Sequence, residues 1–272
     1  MQTHIEITIP IRNEEEAALL IASLSTHGFE GFLEEQQVLK AYIPLPNYDR
    51  SGLESICKNF AVTYQEQPIV PKNWNEEWES NFQPVLIDDF VSVRASFHPK
   101  KELVLYDIII NPKMSFGTGH HATTHLMIAE MKTISFEQKV VLDFGTGTGV
   151  LAILAKKMGA SSVMAIDNDA WSIENAQENF KENCTEEIIL QESNVPPAAI
   201  LFDVIIANIN KSILLRYLFS FFNSLTTNGI LLLSGILEED LPEIIQSAQA
   251  VGFTYQHSKQ KEGWMLVRFF KK

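Results

Sequence analysis

Asp143-Phe144-Gly145-Thr146-Gly147-Thr148-Gly149 sets an acid at the end of an aliphatic run and glycines at three alternate positions. Glycines so spaced allow a tight turn whose bare backbone a ligand can approach closely. If a helix begins there, its unpaired N–H groups and its dipole favour an anionic group. A second acid, Asp167, lies twenty-four residues after Asp143, at the end of the aliphatic run Val163-Met164-Ala165-Ile166. A carboxylate so placed can accept both hydroxyl protons of a ribose. Together, glycine turn and strand-end acid point to a nucleoside cofactor. The spacing is Gly-x-Gly-x-Gly, and Val150 stands where Gly-x-Gly-x-x-Gly of a dinucleotide site needs its third glycine.

Val140-Val141-Leu142 reads as a strand buried on both faces, and Leu151, Ile153, Leu154 and Met158 as the buried face of a helix ending near Gly159. Alternating strands and helices follow: helix 170–181, strand 188–190, strand 201–207 ending at Asn208, helix 213–222, strand 230–233, helix 239–250 and strands 253–256 and 264–270. The last two are expected to form an antiparallel hairpin, and the whole an α/β sheet. Upstream, residues 5–9 alternate as a strand. Asn13 can cap a helix whose inward face is read as Ala18, Leu19, Ala22 and Leu24. Strands 29–34 and 38–43, a helix 49–59 and a strand 60–65 complete a βαββαβ order, that of a ferredoxin-like fold. The predicted layout is a recognition domain over 1–67, a linker with connecting strands over 68–110 that carries Trp74 and Trp78, and a catalytic domain over 111–272.

The chain has 272 residues, 46% of them hydrophobic, enough for two cores. Its net charge of −13 argues against direct nucleic-acid binding, which needs clustered Lys and Arg. Residues 1–67 hold ten acids against four bases, a balance suited to a basic partner. No apolar run is long enough to cross a bilayer, and the start lacks a signal-peptide layout, so the expected location is the cytoplasm. Cys57 and Cys184 suggest neither a disulfide framework nor a cysteine metal site. His121 and His125 would share a helix face, but the glutamate of a His-Glu-x-x-His site is absent, and no metal is expected.

Acid-x-Gly-x-Gly-x-Gly resembles the first motif of class I S-adenosylmethionine methyltransferases. A second stretch is more specific. Phe116-Gly117-Thr118-Gly119-His120-His121-Ala122-Thr123-Thr124 resembles the Phe-Gly-Thr-Gly-Thr-His-Pro-Thr-Thr signature of the PrmA family, which methylates the stalk-base protein of the large ribosomal subunit. Asn208-Ile209, Leu233-Ser234-Gly235-Ile236-Leu237 and the tryptophan-bearing linker also agree. His120 replaces the family's threonine, Ala122 its proline, and Asn111 with Lys113 its Asp-Pro-Gly lead.

The resemblance implies a seven-stranded Rossmann-like methyltransferase sheet behind a small α+β domain that holds the protein substrate. It implies a monomeric enzyme moving methyl groups from S-adenosylmethionine to the α-amine and lysines of that ribosomal protein. Thr124, Gly145, Asp167 and Asn208 would contact the cofactor, with Phe116, Gly117, Thr118 and Gly147 lining its site. Asn208 would orient the amine and His121 would relay its proton or fix the loop. Trp264 reads as packing. An assembly factor that binds S-adenosylmethionine without turnover, or a small-molecule N-methyltransferase, are the alternatives.

Overall fold

The computed structural model describes residues 4–35, 37–69, 83–111, 117–197 and 199–272. Trp74, Trp78 and Phe116 lie outside the described residues. The chain divides into two compact units, Met1–Asn81 and Phe82–Lys272.

In the first unit β1 (His4–Pro10), α1 (Glu14–Ser25), β2 (Gly31–Glu35), β3 (Val38–Pro44), α2 (Arg50–Phe60) and β4 (Gln65–Ile69) follow in order. The antiparallel sheet runs β2-β3-β1-β4, the arrangement of a ferredoxin-like fold. Asn13 caps α1 by accepting the Glu16 amide. That cap sets the helix phase differently from the sequence reading. Ala17, Leu20 and Leu24 face the core, whereas Leu19 is exposed. The strand expected over 60–65 is also displaced. Phe60 is the last residue of α2, Ala61 ends it in the left-handed conformation, and β4 begins only at Gln65. The polar Gln65-Glu66-Gln67 is fixed as a strand by pairing with β1, not by its own hydrophobic pattern.

The second unit begins with β5 (Val85–Ile87), β6 (Val91–Arg94) and β7 (Tyr106–Ile109), a small sheet in which β6 and β7 are parallel. Then come α3 (Ala122–Met131), β8 (Val140–Phe144), α4 (Val150–Lys157), β9 (Ser162–Asp167), α5 (Ala170–Glu182), β10 (Ile189–Glu192), β11 (Phe202–Asn208) and α6 (Lys211–Ser224). The chain closes with β12 (Leu225–Leu237), α7 (Leu241–Val251), β13 (Phe253–Lys261) and β14 (Trp264–Lys271). The large sheet has the order β10-β9-β8-β11-β12-β14-β13. Only β14 is reversed, slotted between β12 and β13, as expected for a class I methyltransferase sheet. Both faces are covered, one by a cluster including Val141, Val204 and Leu232, the other by one including Leu142, Ile205 and Leu231. Successive residues of one strand thus feed opposite cores, which explains the unbroken aliphatic runs.

Glu130 on α3 is fully buried and ties that helix to β13 and β14. Lys259 Nζ lies 2.7 Å from its carboxylate, and His257 Nε2 and Arg268 Nη1 lie 3.1 Å away. Burial acts to raise its pKa, but the hydrogen bonds from Lys259, His257 and Arg268 together hold it below the usual glutamate range. The stabilisation is therefore present above the ordinary carboxylate range and is lost as pH falls through the lowered folded value. Glu130→Gln is expected to cost about 1–2 kcal/mol at neutral pH, because it leaves the largely buried Arg268 without its anion while the half-exposed Lys259 and His257 stay solvated. Urea denaturation of the variant should show that loss shrinking toward acid pH.

Candidate active site

The site is assembled at the carboxyl ends of β8, β9 and β11, where open α/β sheets bind ligands. β8 ends at Phe144, and Gly145, Gly147 and Gly149 all take positive φ, at 79°, 55° and 83°. Only glycine adopts this succession without strain. The Gly145 and Thr146 amides donate to the Ile166 carbonyl, which docks the turn onto β9. Gly149 is the N-cap of α4, so the first amides of that helix sit in the turn.

Asp167 ends β9 and joins the turn through its side chain. The Gly147 amide donates to Oδ2 at 2.8 Å, and the Asp169 amide to Oδ1 at 3.1 Å. Each oxygen keeps lone-pair capacity for a further donor. Asn208 ends β11, and its Nδ2 lies 3.5 Å from Thr124 Oγ1. Its Oδ1 is buried with no hydrogen-bond partner among the described residues. Gly145, Gly147, Asp167, Asn208 and His121 all line one cavity of about 400 Å³. A neighbouring cavity of about 280 Å³ shares Gly145, Asp167 and Asn208's successor Ile209, and extends toward Ser193, Asn194 and Arg216.

Other expected residues stand further back. Thr124 is completely buried, does not line the cavity, and meets it only through Asn208. Gly117 accepts a 2.7 Å hydrogen bond from Thr148 Oγ1, and Thr118 Oγ1 lies 3.2 Å from His120 Nδ1. Trp264, read from sequence as packing, lines the cavity beside His121, the two rings 4.8 Å apart and edge to face. Gly235 and Ile209 were also missed as wall residues. A methyl at Gly145 would overlap Ile209 Cγ2, so the missing side chain makes room for the loop after β11.

A family model described as ribosomal protein L11 methyltransferase (PrmA) matches residues 8–272. The chain belongs to that family. It is 40% identical to the ribosomal protein L11 methyltransferase of Porphyromonas gingivalis, over 92% of this chain and 89% of that protein. To that of Chlorobaculum parvum it is 37% identical, over 96% and 94%. Among solved structures, a ribosomal protein L11 methylase from Lactobacillus delbrueckii subsp. bulgaricus superimposes with a TM-score of 0.65 at 29% identity. That match covers 70% of this chain and all of the other.

The departures from the PrmA signature have local explanations. His121 is the N-cap of α3, its Nδ1 accepting the Thr123 amide at 3.3 Å, and Ala122 is the first helical residue. Proline is favoured at that position because its missing N–H is not needed there, and alanine fills it equally well. His120 spans Thr118 and the Gln83 carbonyl, which lies 2.8 Å from its Nε2.

Beneath the turn, Asp143 is buried, accepts the Thr146 hydroxyl at 2.6 Å and has no partner on Oδ1 among the described residues. Burial pushes its pKa up to about 7, against the pull of the Thr146 hydroxyl. Between the ordinary aspartate range and about 7, the folded protein therefore holds a proton that the unfolded chain has released. Stability falls as pH rises through that window. Asp143→Asn should remove this decline, so its urea midpoint should gain on wild type between pH 5 and 8. A parallel response of the two proteins would contradict the assignment.

Proposed function

We propose that this chain transfers methyl groups from S-adenosylmethionine to the α-amine and lysine side chains of ribosomal protein L11, the stalk-base protein of the large subunit, in the cytoplasm. The observation that carries the reading is Asn208 Oδ1, a buried acceptor without a partner among the described residues, beside a glycine turn bound to the strand-end acid Asp167. Membership of the PrmA family supports the protein substrate.

S-adenosylmethionine supplies, when bound, a methyl carbon activated by a positive sulfonium. The chain's own task is then positioning. Asp167 would hold the ribose, with Gly145 and Gly147 lining the cleft beside it. Thr124 acts through Asn208, steadying its amide. Asn208 Oδ1 accepts an N–H of the incoming amine and leaves the lone pair directed elsewhere. His121 and Trp264 form the facing wall. His121 fixes the loop, its Nδ1 lying 3.3 Å from the Thr123 amide and 2.8 Å from the Thr123 hydroxyl.

A reactive amine must be neutral. For a lysine this costs roughly 4 kcal/mol at neutral pH and for an α-amine about 1 kcal/mol. A partly apolar wall such as Trp264 lowers that cost by disfavouring the charged form. Ribosomal proteins from cells lacking this gene should include an L11 lighter by several methyl groups, and an unchanged L11 mass would refute the substrate.

A further inference from the structure

α5 carries asparagines at 175 and 179 and ends in the C-cap Asn183, four residues apart on one face and all buried. Asparagine is a poor interior helix residue, and its amide needs partners for two donors and an acceptor. Here most of those partners are backbone groups of another segment, while Asn175 Oδ1 has none among the described residues and Asn183 Nδ2 also donates to the Asn179 carbonyl. Asn183 Oδ1 accepts the Ile109 amide at 3.0 Å and its Nδ2 donates to the Ile109 carbonyl at 2.6 Å. Asn179 Oδ1 accepts the Asn111 amide at 3.0 Å, and Asn175 Nδ2 donates to the Asn111 carbonyl at 3.2 Å. The intervening Ile110 amide turns the other way, to the Arg94 carbonyl of β6. Four helical residues advance about 6 Å and two strand residues about 6.6 Å. The helix therefore offers the free edge of β7 side-chain amides at the strand's own repeat, covering an edge that would otherwise stand unpaired.

Asn179 reaches a second partner. Its Nδ2 donates to the Thr148 carbonyl in the glycine turn at 2.8 Å. Thr148 Oγ1 in turn donates to the Gly117 carbonyl at 2.7 Å. Gly117 has φ +108° and presses so closely that an added Cβ would stand 2.8 Å from that oxygen. Asn111 opens the lead of the signature and Gly117 lies within it. Both are thus tied to one residue of the turn, the first through Asn179 and the second directly, and both Thr148 and Asn179 are fully buried. Filling space does not call for this chemistry, since valine has the shape of threonine.

We propose that Thr148 and Asn179 are positioning residues that clasp Asn111 and Gly117 to the glycine turn, so that the turn's cofactor-binding shape and the places of these two residues are set together. The proposal rests on the S-adenosylmethionine reading of the cleft. Thr148→Val deletes the clasp's hydroxyl at constant shape, and Thr148→Ser keeps it.

Calorimetric titration of the full chain with S-adenosylhomocysteine should show affinity about tenfold weaker for Thr148→Val and within about twofold of wild type for Thr148→Ser, the scale of one buried hydrogen bond. In initial-rate measurements the valine variant should raise KM for S-adenosylmethionine and leave KM for the ribosomal protein unchanged. Wild-type affinity in the valine variant, or equal loss in the serine variant, overturns the clasp. Hydrogen exchange of the wild type provides a test independent of variant folding: S-adenosylhomocysteine should slow exchange at the Asn111 and Gly117 amides together with that of Gly147. Protection confined to the turn overturns the coupling even though the ligand binds. A wild type that binds no S-adenosylhomocysteine overturns the cofactor reading and the clasp with it.

Discussion

Gly235→Ala is expected to reduce methyl transfer at least a hundredfold, about 3 kcal/mol at the transition state, and to lower the thermal midpoint. Gly235 has φ +86° in β12, where the register with β14 shifts between Ser234 and Ile236. The Ile209 peptide lies flat against its Cα. An added Cβ would collide with the Ile209 carbonyl oxygen and stand 2.8 Å from its carbon and 3.0 Å from its nitrogen. These are backbone atoms, so no rotamer change relieves the overlap. The left-handed conformation adds a further penalty of about 1–2 kcal/mol for alanine. The loop must therefore move, and the Ile209 amide loses its hydrogen bond to the Ser234 carbonyl. Asn208 is the preceding residue, so its unpartnered oxygen moves with the loop. Steady-state rates with saturating cofactor test this, and a variant with near wild-type kcat would show that the loop position does not matter.

Asp167→Ala is expected to weaken S-adenosylmethionine binding by roughly 2–3 kcal/mol, or about a hundredfold. Two losses contribute. The carboxylate that would accept the ribose hydroxyls disappears, and the Gly147 amide loses its 2.8 Å acceptor. Asp167→Asn separates them, since it keeps an amide oxygen for Gly147 but carries no charge and only one acceptor atom. It should fall between wild type and alanine. The fold should survive either change, because Asp167 is only partly buried and the turn also bonds to the Ile166 carbonyl through Gly145 and Thr146. Titration calorimetry checks the order, and an alanine variant with wild-type affinity would remove Asp167 from the site.

Much of this site was legible because its residues answer to backbone requirements. Gly145, Gly147 and Gly149 each occupy positive φ, so their spacing in sequence is the shape of the turn itself. Asp167 and Asn208 stand at strand ends, where the end of an aliphatic run exposes them to reading. That the sheet is covered on both faces was legible from the long aliphatic runs of β8, β9 and β11, while its strand number came only from the family resemblance. What was missed depends on partners distant in sequence. Thr226, Thr227 and Asn228 interrupt the apolar pattern, yet β12 begins at Leu225, and β4 begins at the polar Gln65. Trp264 reaches the cavity because β14 is inserted beside β12, a placement that no local pattern of its strand reveals. Nothing in the local sequence of α5 signals that its asparagines meet the backbone of Ile109 and Asn111.

The central claim is that the cleft between the glycine turn, Asp167 and Asn208 methylates amino groups of ribosomal protein L11. Its most direct test is the intact mass of purified, unmethylated L11 after incubation with this chain and S-adenosylmethionine. The expected result is a ladder of methyl increments on the α-amine and lysines, strongly reduced when Asn208→Ala replaces the wild type. An L11 mass that does not change with the wild-type chain, while S-adenosylmethionine is bound, would contradict it.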